Sequence, residues 1–282
     1  MKTILRALCL VIVAGCQLVF AGDIAKDIRT GNVSGKENGG YFGIGLFASY
    51  LDGGRIYPEK ENEGDSFGIN IGGDYYYNGF FIEASQGTFD GLNLGYNFLN
   101  KENWSFDVLF SSFQGRLEIE EDKRFKSTIE DERNAAILER NTFYNGAGLR
   151  ATAHFDSYIF QYRLVTDTHE GNGISSTARI GRSWQVKNWN LHSILSMEYS
   201  SSDKNNFLYG VTAEEATGRF PQYDLGSSII FSGEVGVTYP LTEHSVFKSF
   251  LRYTDLPKNI ENSPLMEDDN ETLLVTSISY IF

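Results

Sequence analysis

Both cysteines of this chain, Cys9 and Cys16, lie within its first sixteen residues. Once that segment is removed as a leader, the rest is thiol-free, which excludes disulfide staples, thiol nucleophiles and cysteine-ligated metals. Histidine is nearly as scarce, with 4 in 282 residues, and proline numbers only 5. Positive charge is outweighed: 24 Lys and Arg stand against 37 Asp and Glu, a formal net charge of −13. With no basic stripe, that balance speaks against a nucleic-acid partner. Beyond the start, no segment reaches the roughly 18 consecutive apolar residues that a membrane helix needs. This excludes a helical inner-membrane protein but not a β-barrel, whose apolar face is hidden in alternation.

What is abundant suits an all-β protein: 29 Gly, 16 Tyr and 21 Phe without Pro-rich low complexity. Residues 1–21 read as a signal peptide. Lys2 and Arg6 form a basic n-region, Ala7 to Phe20 an apolar run, and Val19-Phe20-Ala21 a cleavage site before Gly22. A second reading takes Val13-Ala14-Gly15-Cys16 as a lipoprotein box with Cys16 acylated; Leu18-Val19-Phe20 would then be an odd mature start, which favours cleavage after Ala21. Residues 22–40, with Gly31, Gly35, Gly39 and Gly40, read as a flexible tail. Residues 41–282 read as one domain.

Within that domain twelve period-two segments are bounded by turn chemistry: 41–51, 67–77, 79–86, 92–100, 104–113, 142–155, 157–166, 173–187, 189–200, 226–240, 245–256 and 272–282. In 142–155, Phe143, Ala147, Leu149, Ala151, Ala153 and Phe155 share one face, while Arg150, Thr152 and His154 share the other. A soluble sandwich also alternates, so the pattern alone does not choose between the two. The connections do. They run long, short, long, short along the chain, every odd one longer than its even neighbours. That is the pattern of an outer-membrane barrel with short periplasmic turns and longer external loops, and an even strand count puts both termini in the periplasm. The expected fold is therefore a transmembrane antiparallel up-and-down β-barrel of about twelve strands.

Charge placement agrees. Most of the acidic excess falls in the long connections, while the inward positions nearly balance. Asp74, Glu83, Asp107, Glu198 and Glu234 oppose Arg150, Arg163, Arg179, Lys248 and Arg252, the charged residues expected to face the lumen. Arg182 breaks the pattern, since its parity points it to lipid; a bulge or a position near the interface would account for it.

Catalytic signals are weak. Asp167-Thr168-His169-Glu170 holds an imidazole beside carboxylates, yet no serine at recognisable spacing completes a triad. Glu267-Asp268-Asp269 could hold a hard cation, but a solvated charge run is the simpler reading. Gly43-Ile44-Gly45 and Gly146-Ala147-Gly148 do not continue into a phosphate loop, and read as small inward residues making room in a narrow lumen. No catalytic residue, metal or cofactor is expected. One helix is expected in the third long loop, where Ser127 with Glu130 resembles a capping box, and Ile129, Ala136 and Ile137 share a face.

From about Asn205 onward the chain resembles a known family. The residues are Tyr209-Gly210-Val211, Ala213, Ala216, Gly218, Pro221 and Tyr223, then Tyr239-Pro240-Leu241-Thr242 with His244, Tyr253 with Leu256, Ser263-Pro264 and the closing Tyr280-Ile281-Phe282. Weaker similarity reaches back through Arg140, Gly146, Gly148-Leu149 and Tyr41-Phe42-Gly43-Ile44-Gly45. Their order is similar to that of the MltA-interacting protein (MipA/OmpV) family. Ser245 stands where the family is expected to have tryptophan, and Arg219-Phe220 where it usually has Gly-Leu. The resemblance implies a non-enzymatic outer-membrane barrel, in some members a scaffold linking a lytic transglycosylase to a peptidoglycan synthase, in others porin-like. The expected partners are outer-membrane lipid and lipopolysaccharide, the barrel assembly machinery, and peptidoglycan-modifying enzymes. The alternative function is a narrow porin-like channel for small solutes. The terminal Ile278, Tyr280 and Phe282, all expected to face lipid, resemble the signal by which such barrels are recognised for assembly.

Overall fold

The computed structural model describes residues 38–55, 64–84, 91–101, 103–115, 143–216, 218 and 220–282. The leader and most of the tail, and the helix expected near residues 128–140, lie outside them. Twelve antiparallel strands close into a barrel: β1 (Gly39–Arg55), β2 (Gly64–Tyr77), β3 (Phe80–Glu83), β4 (Asn93–Lys101), β5 (Trp104–Gly115), β6 (Phe143–Phe155), β7 (Tyr158–Asp167), β8 (Ile174–Val186), β9 (Trp189–Ser200), β10 (Ser228–Pro240), β11 (Ser245–Asp255) and β12 (Met266–Ile281). Each strand pairs with its sequence neighbours, and β1 closes on β12 from Gly43↔Ile281 to Asp52↔Thr272. Closure matters in lipid, where no water can satisfy the backbone groups of an open edge.

The short turns follow from local chemistry. Asn78 and Gly79, both at positive φ (48° and 90°), make the two-residue hairpin between β2 and β3 that the right-handed strand twist favours. Asp156 and Lys187 take the same left-handed conformation (φ 48° and 55°) in the turns after β6 and β8. Connections at the opposite end of the barrel are longer. The last is shorter than its acidic sequence suggests: β12 begins at Met266, so Asp268 and Asp269 belong to a strand rather than a loop, with Met266 paired to Arg55 of β1, Asn270 to Asp255 of β11, and the Asp269 carbonyl accepting from the Leu256 N–H at 2.9 Å. An eight-residue helix stands in the β9–β10 connection: α1 (Ser202–Tyr209). A single turn, α2 (Lys258–Glu261), lies between β11 and β12.

The outward face is apolar. Phe67 is 85% exposed, Leu46 68% and Ile69 66%, as befits side chains whose solvent is lipid. Aromatic side chains gather at the short-turn end, where Trp104 meets Phe155 (6.3 Å) and Trp189 meets Tyr239 (4.6 Å). Tyr50, Phe67, Tyr199, Phe231 and Tyr253 lie toward the long-loop end. Arg182 is outward with no register shift in β8: its guanidinium lies over the rings of Tyr158 (4.8 Å) and Trp184 (5.0 Å) and donates to the Tyr158 hydroxyl at 2.8 Å. Aromatic faces let a cation sit at the boundary of the apolar belt.

Candidate functional site

Alternation sends every second side chain into the lumen, so the candidate site is what those positions build there. On the wall formed by β3 to β7 they build an ion cluster. Arg150 donates through Nη1 to Glu83 (2.8 Å) and through Nε to Asp107 (2.7 Å), with all three side chains fully buried. The rest of the cluster is polar and bonded. Asn97 donates to Asp107 (2.8 Å), Asn93 to Glu83 (3.3 Å), and the Tyr76 hydroxyl to Glu83. Arg163 extends it by donating to Asn93 (3.3 Å) and to Ser111. The face of Phe81 covers the Arg150 guanidinium at 4.8 Å. Buried ions are tolerated only when paired and hydrogen-bonded like this.

A second cluster lies across β9, β10 and β11. Glu234 is contacted by His192 Nε2 at 3.1 Å and accepts from Arg252 Nη2 at 2.9 Å. The opposition of charges expected along the lumen thus resolves into two contacting groups, Glu83–Arg150–Asp107 and His192–Glu234–Arg252. Asp74 and Arg179 are also buried, the latter donating to Ser196 at 3.3 Å. Glu198 is held by Lys204 of α1 at 3.0 Å.

The long-loop end is covered by a lid. Ser201 caps α1 by accepting from the backbone N–H of Lys204, and Asp203 adds a favourable acid to the first turn. The helix points Phe207 and Leu208 inward, where they join Tyr76, Phe81, Leu109, Tyr144 and Val165 in one apolar cluster. Phe207 meets Tyr144 at 6.1 Å, and the Lys204 ammonium lies 5.5 Å from the same ring. Beyond α1 the chain packs on the β11–β12 connection. Val211 and Phe220 contact Leu265, while Leu225 meets Ile260 and Met266. The Tyr223 hydroxyl donates to the Asn259 carbonyl (2.9 Å), and Ser263 to that of Tyr209 (2.6 Å). These connecting segments include Tyr209-Gly210-Val211, Tyr223 and Ser263, on which the family resemblance rests. Sequence reasoning missed this helix; Ser201, a serine able to cap it, is a local signal that could have found it.

The wall formed by β11, β12, β1 and β2 is different. Against its inner face lies a cavity of about 250 Å³. Lys248, Asn70, Ser49, Ser277 and Ser279 are among its polar lining residues; Phe47, Phe250 and Val275 are among its apolar ones. Gly45 keeps this wall thin. A Cβ there would stand 2.3 Å from the Ile278 carbonyl and within 2.5 Å of Asn70 and Ser279, whose amide and hydroxyl bond across it at 3.2 Å.

The other candidates lie elsewhere. His169 is exposed and 4.0 Å from Glu170, while the Asp167 carboxylate is taken up by the backbone N–H groups of Asn145, His169, Glu170 and Asn172. Among the described residues no three His, Asp or Glu side chains are grouped to hold a metal. At the chain's end Ile278, Tyr280 and Phe282 point outward. Phe282 lies 4.9 Å from Tyr280 and 6.0 Å from Phe42, and its N–H donates to the Phe42 carbonyl at 2.9 Å.

The family model described as MltA-interacting protein MipA matches residues 44–282. Among curated proteins, outer membrane protein Omp26La of Vibrio anguillarum is 30% identical over 86 residues, which is 30% of this chain and 34% of that protein. Outer membrane protein OmpV of Vibrio cholerae is 29% identical over 86 residues, with the same shares covered. The match thus spans about a third of the length of these relatives. Among solved structures the NanC porin superposes with a TM-score of 0.43 at 10% identity, covering 84% of this chain and 98% of that one. A loop-deleted OmpT of Vibrio cholerae gives 0.41 at 6% identity, covering 87% and 100%. Likenesses so distant say nothing about what this lumen does.

Proposed function

This chain belongs to the MltA-interacting protein MipA family of outer-membrane barrels, and from that premise we propose that it is a non-enzymatic interaction protein rather than an open pore. The observation that carries the reading is the filled lumen: the buried Glu83–Arg150–Asp107 cluster and the inserted Phe207 and Leu208 occupy one side of it and leave about 250 Å³ on the other. Porins of sixteen to eighteen strands leave an aqueous channel, and a twelve-stranded barrel is narrower than these. The partner class is a peptidoglycan-modifying enzyme, the kind of contact the family description names for MipA itself. In this reading the short-turn end and both termini face the periplasm, and the acidic long loops face outward beside lipopolysaccharide. Contact then falls to the short turns and to residues 22–40.

Pull-down of envelope proteins with the full chain and with a variant lacking residues 22–40 tests this. Specific retention of a cell-wall enzyme by the full chain, reduced in the variant, is the expected result; no retention by either rejects the scaffold role.

A second reading, a narrow channel for small solutes, is favoured by the cavity beside Lys248. Planar-bilayer conductance separates the two. Steady unitary openings support the channel, and background current from both the native barrel and the lid variant Phe207→Ala excludes it.

The terminal strand carries a further role within this proposal. Ile278, Tyr280 and Phe282 form an outward apolar row at the closing seam, the place where assembly machinery must recognise the unfolded chain's end.

A further inference from the structure

We propose that the cavity against β1, β2, β11 and β12 is a binding site for a small monoanion with an apolar body, such as an aromatic carboxylate. This goes beyond the interaction reading and requires no conduction. The chemistry is set by what lines the space. Lys248 is its one charged side chain among the described residues, and it stands beside Ser277 in the register of β11 with β12. An ammonium has three N–H donors, so it can hold a ligand oxygen while keeping a bond to the protein. Ser277 offers a hydroxyl next to it. One residue pair further along each strand the lining turns apolar, with Phe250 paired to Val275, and Phe47 lies across from Ser277 on β1. A ligand therefore meets a cation and hydroxyls at one level and aromatic and aliphatic surface at the next.

Size narrows the class. About 250 Å³ falls just under the range of pockets that take drug-sized ligands, so the occupant is a single ring or short chain. Of the inward acids, Glu234 is held by Arg252 and His192, and Glu83 and Asp107 by Arg150. A dianion would meet one cation only and leave its second charge unmatched in a largely apolar space. A neutral ligand of the same shape forgoes the ammonium.

The test uses the folded full barrel in a nonionic detergent, titrated with benzoate and with benzamide and followed by calorimetry. Benzoate is expected to bind saturably and at least tenfold more tightly than benzamide. Lys248→Gln should weaken benzoate at least tenfold and leave benzamide unchanged, whereas Lys248→Arg should keep most of the preference. Val275→Phe fills the cavity and should abolish binding of both, with folding checked by heat-modifiable gel mobility and by the unfolding midpoint. Equal affinity for the two probes, benzoate binding unchanged in Lys248→Gln, or no saturable binding to the native barrel at millimolar benzoate would each overturn the proposal.

Discussion

On the wall formed by β3 to β7, inward positions hold Glu83, Asp107, Arg150 and Arg163, all buried and bonded to one another or to Asn93, Asn97 and Ser111. On the wall formed by β11, β12, β1 and β2, the positions around the open space hold Gly43, Ser277, Ser279 and Lys248, the one charged side chain of the cavity lining among the described residues. The same strand geometry thus gives a packed half and a hollow half. Long side chains of opposite charge span a narrow barrel and fill it, and once buried they cannot be altered singly. Small side chains leave room, and the room can be changed at little cost to the fold. The lid belongs with the packed half, since α1 reaches down to Tyr144, Leu109 and Phe81 on that side.

The most severe way to break this contrast is Arg150→Ala. It leaves Glu83 and Asp107 buried side by side without a cation, and the expected loss is about 3–5 kcal/mol of unfolding free energy, read by urea titration of the barrel in detergent. The triple replacement Arg150→Met, Glu83→Gln, Asp107→Asn should recover much of it. A single-variant loss below about 1 kcal/mol would mean that water reaches the cluster. Next comes Phe207→Ala, which removes the lid's inward anchor. A buried Phe→Ala change costs roughly 3–5 kcal/mol in a core, but here the loss should stay local. Amide exchange across 201–227 should quicken by tenfold or more while the barrel's midpoint moves little. A midpoint that falls as far as in Arg150→Ala would show that the lid is part of the barrel's own core.

On the hollow side the effects are smaller. Gly45→Ala should cost about 1–3 kcal/mol, because its Cβ meets the backbone carbonyl of Ile278 at the seam. Gly68→Ala faces only the edge of the Phe47 ring, which can turn toward the cavity, and should cost less. Reversal of that order would contradict the assignment of open space to this wall. Smallest of all in stability is deletion of Phe282, which is 69% exposed on the outside of the same wall. Its refolding in detergent should match the native chain while insertion in cells drops; equal loss in both would remove the assembly role from the terminus.

Much of the barrel was legible because lipid-facing strands obey a strict period of two. The segments 189–200 and 104–113 differ from β9 and β5 by no more than two residues at either end. Where turn residues were strong, as at Asn78-Gly79, the boundary was sharp. It blurred where acidic residues continued a strand above the belt: Asp268, Asp269 and Asn270 look like loop, yet β1 and β11 pair with them or with their neighbours. The inward charges could be named one by one, but not which met which. Pairing across the lumen depends on barrel closure and on the reach of each side chain, neither of which is written locally.

By itself the sequence determined the alternation, the parity of long and short connections and the sign of each inward residue, because these depend on neighbours two positions apart and on turn conformation. Only the tertiary structure decided that Arg150 bonds both Glu83 and Asp107, that α1 enters the lumen, and that an empty space survives beside Lys248. Each of these follows from strands distant in the chain being brought face to face, and from side-chain volumes that do or do not fill the gap between them.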